Sequence, residues 1–173
     1  NQEFVPVDCS ALVETLLERL SGSPAMAHAA VWALRWLSSH NERLSDKLWQ
    51  PDTDEIERFI EIVDDKKSDA GVVWNLILIL GEEKVKEAIR PLRDRLNHPN
   101  PNVRRAAAWA LGEIGDEVPV RPLLARLEDK EADVRETAVE ALGKLKAKTA
   151  IKGLIKKLES PEQYIQNSAV EAL

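Results

Sequence analysis

Residues 103–115 read VRRAAAWALGEIG, and residues 134–146, thirty-one positions later, read VRETAVEALGKLK. Both begin Val-Arg, both place alanine four residues into the stretch, at Ala107 and Ala138, and both continue Ala-Leu-Gly. In the first copy Val103, Ala107, Ala110, Leu111 and Ile114 fall at spacings of three and four, the pattern of a helix with one buried face. Small alanines on that face let a neighbouring helix come close, so the stretch predicts a helix meant to pack tightly against copies of itself.

The period extends in both directions. Ile89, Val120 and Ile151 align, as do Leu92, Leu123 and Leu154, then Leu96, Leu127 and Leu158. The register continues through Val103, Val134 and Ile165, through Ala107, Ala138 and Ala169, through Ala110, Ala141 and Ala172, and through Leu111, Leu142 and Leu173. Each unit carries the helical spacing twice, which makes it a helical hairpin. NHPNPN (97–102) supplies the break between its two helices, with Asn102 and Asp133 expected as caps of the second helix. Upstream, Val72, Leu76, Ile79, Leu80 and Gly81 match Val103, Ala107, Ala110, Leu111 and Gly112, with Ile56, Phe59 and Val63 on the preceding helix. At the front, AVWAL (30–34) copies AAWAL (107–111), and Val13, Leu16 and Leu20 form its partner helix.

The expected architecture is therefore all-α, an α-α superhelix of about five helical hairpins in one domain over 1–173. The units run approximately 10–37, 54–82, 86–115, 118–146 and 149–173, with an insertion at 38–53 where periodicity fails. RPLLARLEDKEADVRETAVEALGKL (121–145) resembles the HEAT repeat, in particular the short HEAT-like repeat of phycobilisome lyases. The resemblance is strong over 88–173 and weaker over 12–87. It implies antiparallel helix pairs stacked into a right-handed solenoid whose second helices line a concave face. Glu83, where Ile114 and Leu145 stand in other units, and Gln166, where Arg104 and Arg135 stand, depart from the pattern.

Trp109 interrupts the small residues of its helix. At about 100° per residue it lies ~145° from the centre of the apolar sector, which predicts an outward indole. Its register partners are Trp32, Leu78, Glu140 and Glu171, and the neighbouring outward position holds His28, Trp74, Arg105, Glu136 and Asn167. The open side of the first three units thus offers Trp32, Trp74, Leu78 and Trp109, and that of the last two is mostly acidic. His28, Trp32, Trp74, Leu78, Arg105 and Trp109 are the expected partner-binding residues, because exposed apolar clusters with Trp and Arg mark contact sites. The competing expectation is that Leu44, Leu48 and Trp49 of the insertion cover these indoles.

Other chemistries find little footing. The net charge of −6 splits into −8 over residues 1–87 and +2 over 88–173, an unpromising balance for binding nucleic acid, which needs a basic surface. His28, His40 and His98 are dispersed and none belongs to a HExxH pattern, so no metal is expected. Cys9 is the only cysteine and has no basic neighbour in sequence to activate it. Glycines at Gly81, Gly112, Gly115 and Gly143 recur with the repeat and read as helix ends, not as a phosphate loop. Arg104 and Arg135 read as bridges between units. No apolar run reaches membrane-spanning length and the first residues carry no signal-peptide pattern, so a cytoplasmic protein without a membrane anchor is expected. A start without methionine and an end within a helical pattern suggest a piece of a longer chain.

These readings converge on a non-catalytic scaffold or adaptor that needs no cofactor and holds a partner protein, as a peptide segment or helix, in its concave groove. A basic and apolar partner is the natural complement. The alternatives are a bilin lyase-type subunit, which the resemblance allows, and a sensor or regulatory array of a larger multidomain protein.

Overall fold

The computed structural model describes residues 10–20, 22–39, 50–115, 118, 120–146, 150–160 and 163–172. Among them are ten α-helices and one 3-10 turn, and no strand. In chain order these are α1 (Ser10–Arg19), α2 (Pro24–Ser39), α3 (Thr53–Asp64), α4 (Ala70–Glu82), α5 (Ile89–Arg95), α6 (Pro101–Ile114), α7 (Val120–Arg126), α8 (Ala132–Lys144), α9 (Ile151–Lys157) and α10 (Gln163–Ala172). The 3-10 turn Lys86–Ala88 leads into α5. Consecutive helices pair as α1/α2, α3/α4, α5/α6, α7/α8 and α9/α10, and the second helices also contact one another in series, α2 to α4 to α6 to α8 to α10. This is the α-α superhelix that the thirty-one-residue period predicts. Leu44, Leu48 and Trp49, the part of the insertion expected to cover the indoles, lie outside the described residues.

Local chemistry sets the helix starts. Asp52 caps α3 in a reciprocal box, its carboxylate accepting from the Glu55 N–H (2.9 Å) while the Glu55 carboxylate accepts from the Asp52 N–H (2.8 Å). Asp69 caps α4 by accepting from the N–H groups of Gly71 and Val72. For α6 the cap is Asn100, not Asn102: its side chain accepts from the Asn102 N–H at 2.9 Å, and Pro101 takes the first helical position, where a missing N–H costs nothing. Asp133 likewise sits inside the first turn of α8, and the cap position, Glu131, makes no side-chain cap bond. Both helices start earlier than expected, α6 because Pro101 suits the first helical position.

The recurrent glycines also do something other than end helices. Gly81 and Gly112 lie within α4 and α6. A Cβ on Gly81 would stand 2.7 Å from the Trp109 ring and 2.8 Å from the Ala110 Cβ, and one on Gly112 would stand 2.9 Å from the Ala141 Cα. Glycine facing alanine thus sets the approach of successive second helices, drawing that row together. The positions that turn the chain out of the helix are Lys84 (φ 52), Gly115 (φ 96) and Lys146 (φ 47), at the ends of the second, third and fourth units. At Lys84 the Val85 N–H donates to the Leu80 carbonyl and the Lys84 N–H to the Gly81 carbonyl, which satisfies the last turn of α4. Val85 is buried there, filling the space that Glu83 does not; the half-buried Glu83 accepts from the Gln50 side chain.

Polar ties lock unit to unit behind the apolar core. The Arg104 guanidinium, buried with its partner, donates from Nε and Nη2 to the two Asp129 oxygens at 2.9 and 2.8 Å. Its remaining Nη1 donates to the carbonyls of His98 and Pro99. Arg135 repeats the second interaction on Asp129 O and Lys130 O, and Gln166 repeats it on Ser160 O. Gln166 therefore keeps one loop-carbonyl bond of the arginine it replaces. The Asp129 carboxyl is held below its usual value: burial works against the charge, but the Arg104 hydrogen bonds, the Glu131 N–H and the nearby Arg126 outweigh it. On the first-helix side, Arg95 donates to the Val63 carbonyl and Arg126 to the Leu96 carbonyl, closing the end of the preceding first helix in each case.

Candidate functional site

The second helices bring four of the six expected binding residues together. Trp74 and Leu78 are one turn apart on α4, and Arg105 and Trp109 one turn apart on α6, so each pair shares a face. With Arg35 of α2, Glu82 of α4, Ala106 of α6, and Thr137 and Glu140 of α8, they line an open cavity of about 330 Å³. Trp32 and His28 are not among its walls. Trp32 is exposed midway along α2, and the His28 ring packs over Gly71 at the start of α4.

The outward expectation for Trp109 needs correcting in one respect. The indole is half-buried, because its ring edge rests on the Gly81 backbone, where no side chain stands in the way. Trp109 is a wall of the cavity and part of the packing between α4 and α6 at once. Trp74 and Leu78 are half-buried in the same way and touch the core behind them. The apolar part of the site is therefore pre-formed.

Charge is distributed unequally around this floor. On the α2 side, the Arg35 guanidinium stands 6.0 Å above the Trp74 ring and its Nε lies 3.6 Å from Glu82 Oε1. On the α6 side, Arg105 lies 3.4 Å from Asp133 in an exposed pair. Each cation of the cavity thus faces a carboxylate. Glu136 and Glu140 on α8 have no cationic partner among the described residues. Partial burial and the neighbouring Glu140 and Asp133 carboxylates push the Glu136 carboxyl above its ordinary value of 4.5. The α8 edge of the cavity is a place where negative charge is costly and a cation would be welcome. Glu171, expected to extend this acidic edge, has no side chain among those described.

Sequence reasoning did not pick out Glu82, or Trp36, which is exposed on α2 one turn beyond Trp32. The four-residue spacing of Trp32 and Trp36 was the available signal for the latter. No group of three or more His, Cys, Asp or Glu side chains among the described residues could hold a metal ion. No helix among them is long and apolar enough to cross a membrane.

The sequence pattern described as HEAT repeats matches residues 56–133 and 120–173. The chain belongs to the HEAT-repeat family. No curated protein matches it by sequence. Solved structures share the fold at low identity. The complex of CpcE and CpcF of phycocyanin lyase from a Nostoc species matches with a TM-score of 0.73 and 22% identity, covering 92% of this chain and 63% of that one. A designed armadillo repeat protein in complex with the peptide (KR)4 matches with a TM-score of 0.74 and 22% identity, over 94% of this chain and 80% of that one. Human deoxyhypusine hydroxylase in complex with glycerol matches with a TM-score of 0.62 and 22% identity, over 94% and 61%. This HEAT-repeat chain spans less than two thirds of the lyase and hydroxylase chains it resembles.

Proposed function

We propose that this HEAT-repeat chain is a non-catalytic scaffold that holds a segment of another protein across its second helices. An apolar side chain of the partner enters between Trp74, Leu78 and Trp109, and a lysine or arginine next to it lies against Glu136 and Glu140. The observation that carries this reading is the cavity itself, whose aromatic floor is bordered by Glu140, with Glu136 one turn away on α8, and neither carboxylate has a cationic partner among the described residues. Binding such a segment removes apolar surface from water at a pre-formed site, so little ordering opposes the gain. The cations that flank the floor, Arg35 and Arg105, already face Glu82 and Asp133, so they offer an acidic segment little unmet positive charge. A related fold accommodating a (KR)4 peptide supports the same class of partner.

Fluorescence anisotropy with labelled peptides tests the proposal. A peptide alternating leucine and lysine should bind at least about tenfold more tightly than a leucine–glutamate or a serine–lysine peptide of equal length, a difference of about 1.4 kcal/mol. Equal affinity for all three, or none for any, would remove the groove as a binding site.

A further inference from the structure

The α2 side of the cavity shows how this chain satisfies an indole that stands beside a carboxylate. The Arg35 guanidinium lies over the Trp74 ring, 6.0 Å from its centre, and its Nε is 3.6 Å from Glu82 Oε1. A guanidinium suits both neighbours at once, because its donors lie in its plane while its weakly hydrated face is left for a ring.

Two of these three parts recur between α6 and α8. Trp109 leans back toward α4, where its ring edge meets Gly81, and the α8 wall of the cavity beyond it is formed by Thr137 and Glu140. No cation among the described residues lies over the Trp109 ring or pairs with Glu140. Arg105, one turn before Trp109, is turned to Asp133. The Thr137 hydroxyl donates to the Asp133 carbonyl at 2.8 Å, which leaves its oxygen able to accept from a further donor. Glu136, one turn before Glu140, is partly buried and repelled by Glu140 and Asp133, so positive charge brought to this edge relieves it as well.

We infer that the cation of the partner segment is an arginine, its guanidinium lying against Trp109 and donating to Glu140, with the Thr137 oxygen as a second acceptor. The assignment rests on the scaffold proposed above and narrows its partner from a basic segment to one that carries arginine next to its apolar anchor. Lysine fits less well because its ammonium is a compact, strongly hydrated point charge that gives up ring contact to reach a carboxylate. Arginine makes both contacts in one pose, as Arg35 does with Trp74 and Glu82.

Anisotropy titrations of the chain with peptides that pair leucine with arginine, lysine, citrulline or trimethyllysine test it. The arginine peptide should bind about fivefold more tightly than the lysine peptide. Citrulline keeps the planar shape without the charge and should bind about tenfold more weakly than arginine. Glu140→Gln, at an exposed position, should keep the melting temperature of the parent and erase the difference between arginine and lysine. Equal affinity of the parent for arginine and lysine, both above a leucine–glutamate peptide, overturns the arginine assignment and leaves the groove standing. Failure of every peptide to bind removes both. An arginine preference that survives Glu140→Gln overturns the assignment, since it then arises elsewhere, and so does a trimethyllysine peptide that binds more tightly than the arginine peptide, which marks a site for a quaternary ammonium instead.

Discussion

Asp129→Ala isolates the tie between the third and fourth units. The substitution removes the acceptor of two guanidinium hydrogen bonds, at 2.9 and 2.8 Å, and of the Glu131 N–H at 3.1 Å. The side chain of Arg104 is 5% exposed, so its charge cannot recover water where it stands. Two carbonyl contacts from Nη1 remain, too few for a buried cation. Breaking a buried pair from one side costs about 3–5 kcal/mol, and the change should fall in that range. The double variant Arg104→Met/Asp129→Leu removes both charges and fills the space with apolar groups. It should cost only about 1–2 kcal/mol, the residue of the unmet carbonyls and the Glu131 N–H. Urea unfolding followed by circular dichroism measures both, and the double variant should be the more stable of the two. The pH dependence adds a check. The Asp129 pKa is depressed in the folded state, so its stabilisation is complete above the unfolded value near 3.8 and is lost as pH falls through the folded value. The parent should therefore lose stability below about pH 4 more steeply than Asp129→Ala. A single variant that costs under about 1 kcal/mol, or a double that costs as much as the single, would refute the reasoning.

Gly112→Ala should destabilise despite alanine's better helix propensity: about 1 kcal/mol is gained from propensity, but the new Cβ meets the Ala141 backbone at 2.9 Å and overpacking costs about 1–3 kcal/mol. Thermal melts of the pair decide the sign. Lys84→Gly should raise stability by about 1 kcal/mol in the same assay by relieving the left-handed backbone at φ 52, and Lys84→Ala should not. Trp109→Ala should lower both stability and Leu–Lys peptide affinity, each by about 2 kcal/mol, because a half-buried indole serves both; a loss in only one of the two measurements would assign it to that role alone. Leu–Lys peptide affinity should fall as pH is lowered through and somewhat above 4.5, where Glu136 takes up its proton, and Glu136→Gln should flatten that profile in anisotropy titrations.

The fold was legible because a repeat states its own register many times over. Leu92, Leu123 and Leu154 are each buried, and so are Ala107, Ala138 and Ala169, as periodicity alone requires. What periodicity could not supply is the third dimension of each helix end. Asn100 instead of Asn102 caps α6 because the choice depends on where Pro101 lets the helix begin, and several residues nearby could have served. Gly81 and Gly112 resemble helix-ending glycines in sequence, since they stand close to a helix end; only the distance to Ala110 and Ala141 shows that closeness of packing is their use. The angular argument placed Trp109 on the open side without seeing that the absent side chain of Gly81 leaves it a seat. Trp74, Leu78, Arg105 and Trp109 share one cavity because they stand one turn apart on adjacent helices, which register does reveal. The pairing of Arg35 with Glu82 depends on the rotation of α2 against α4, which it does not.

The most direct test of the groove reverses its charge. Glu136→Lys/Glu140→Lys should leave the aromatic floor intact and exchange the peptide preference, so that the leucine–glutamate peptide binds more tightly than the leucine–lysine peptide in anisotropy titrations at neutral pH. An unchanged preference for the leucine–lysine peptide would contradict the claim that these two carboxylates select the partner.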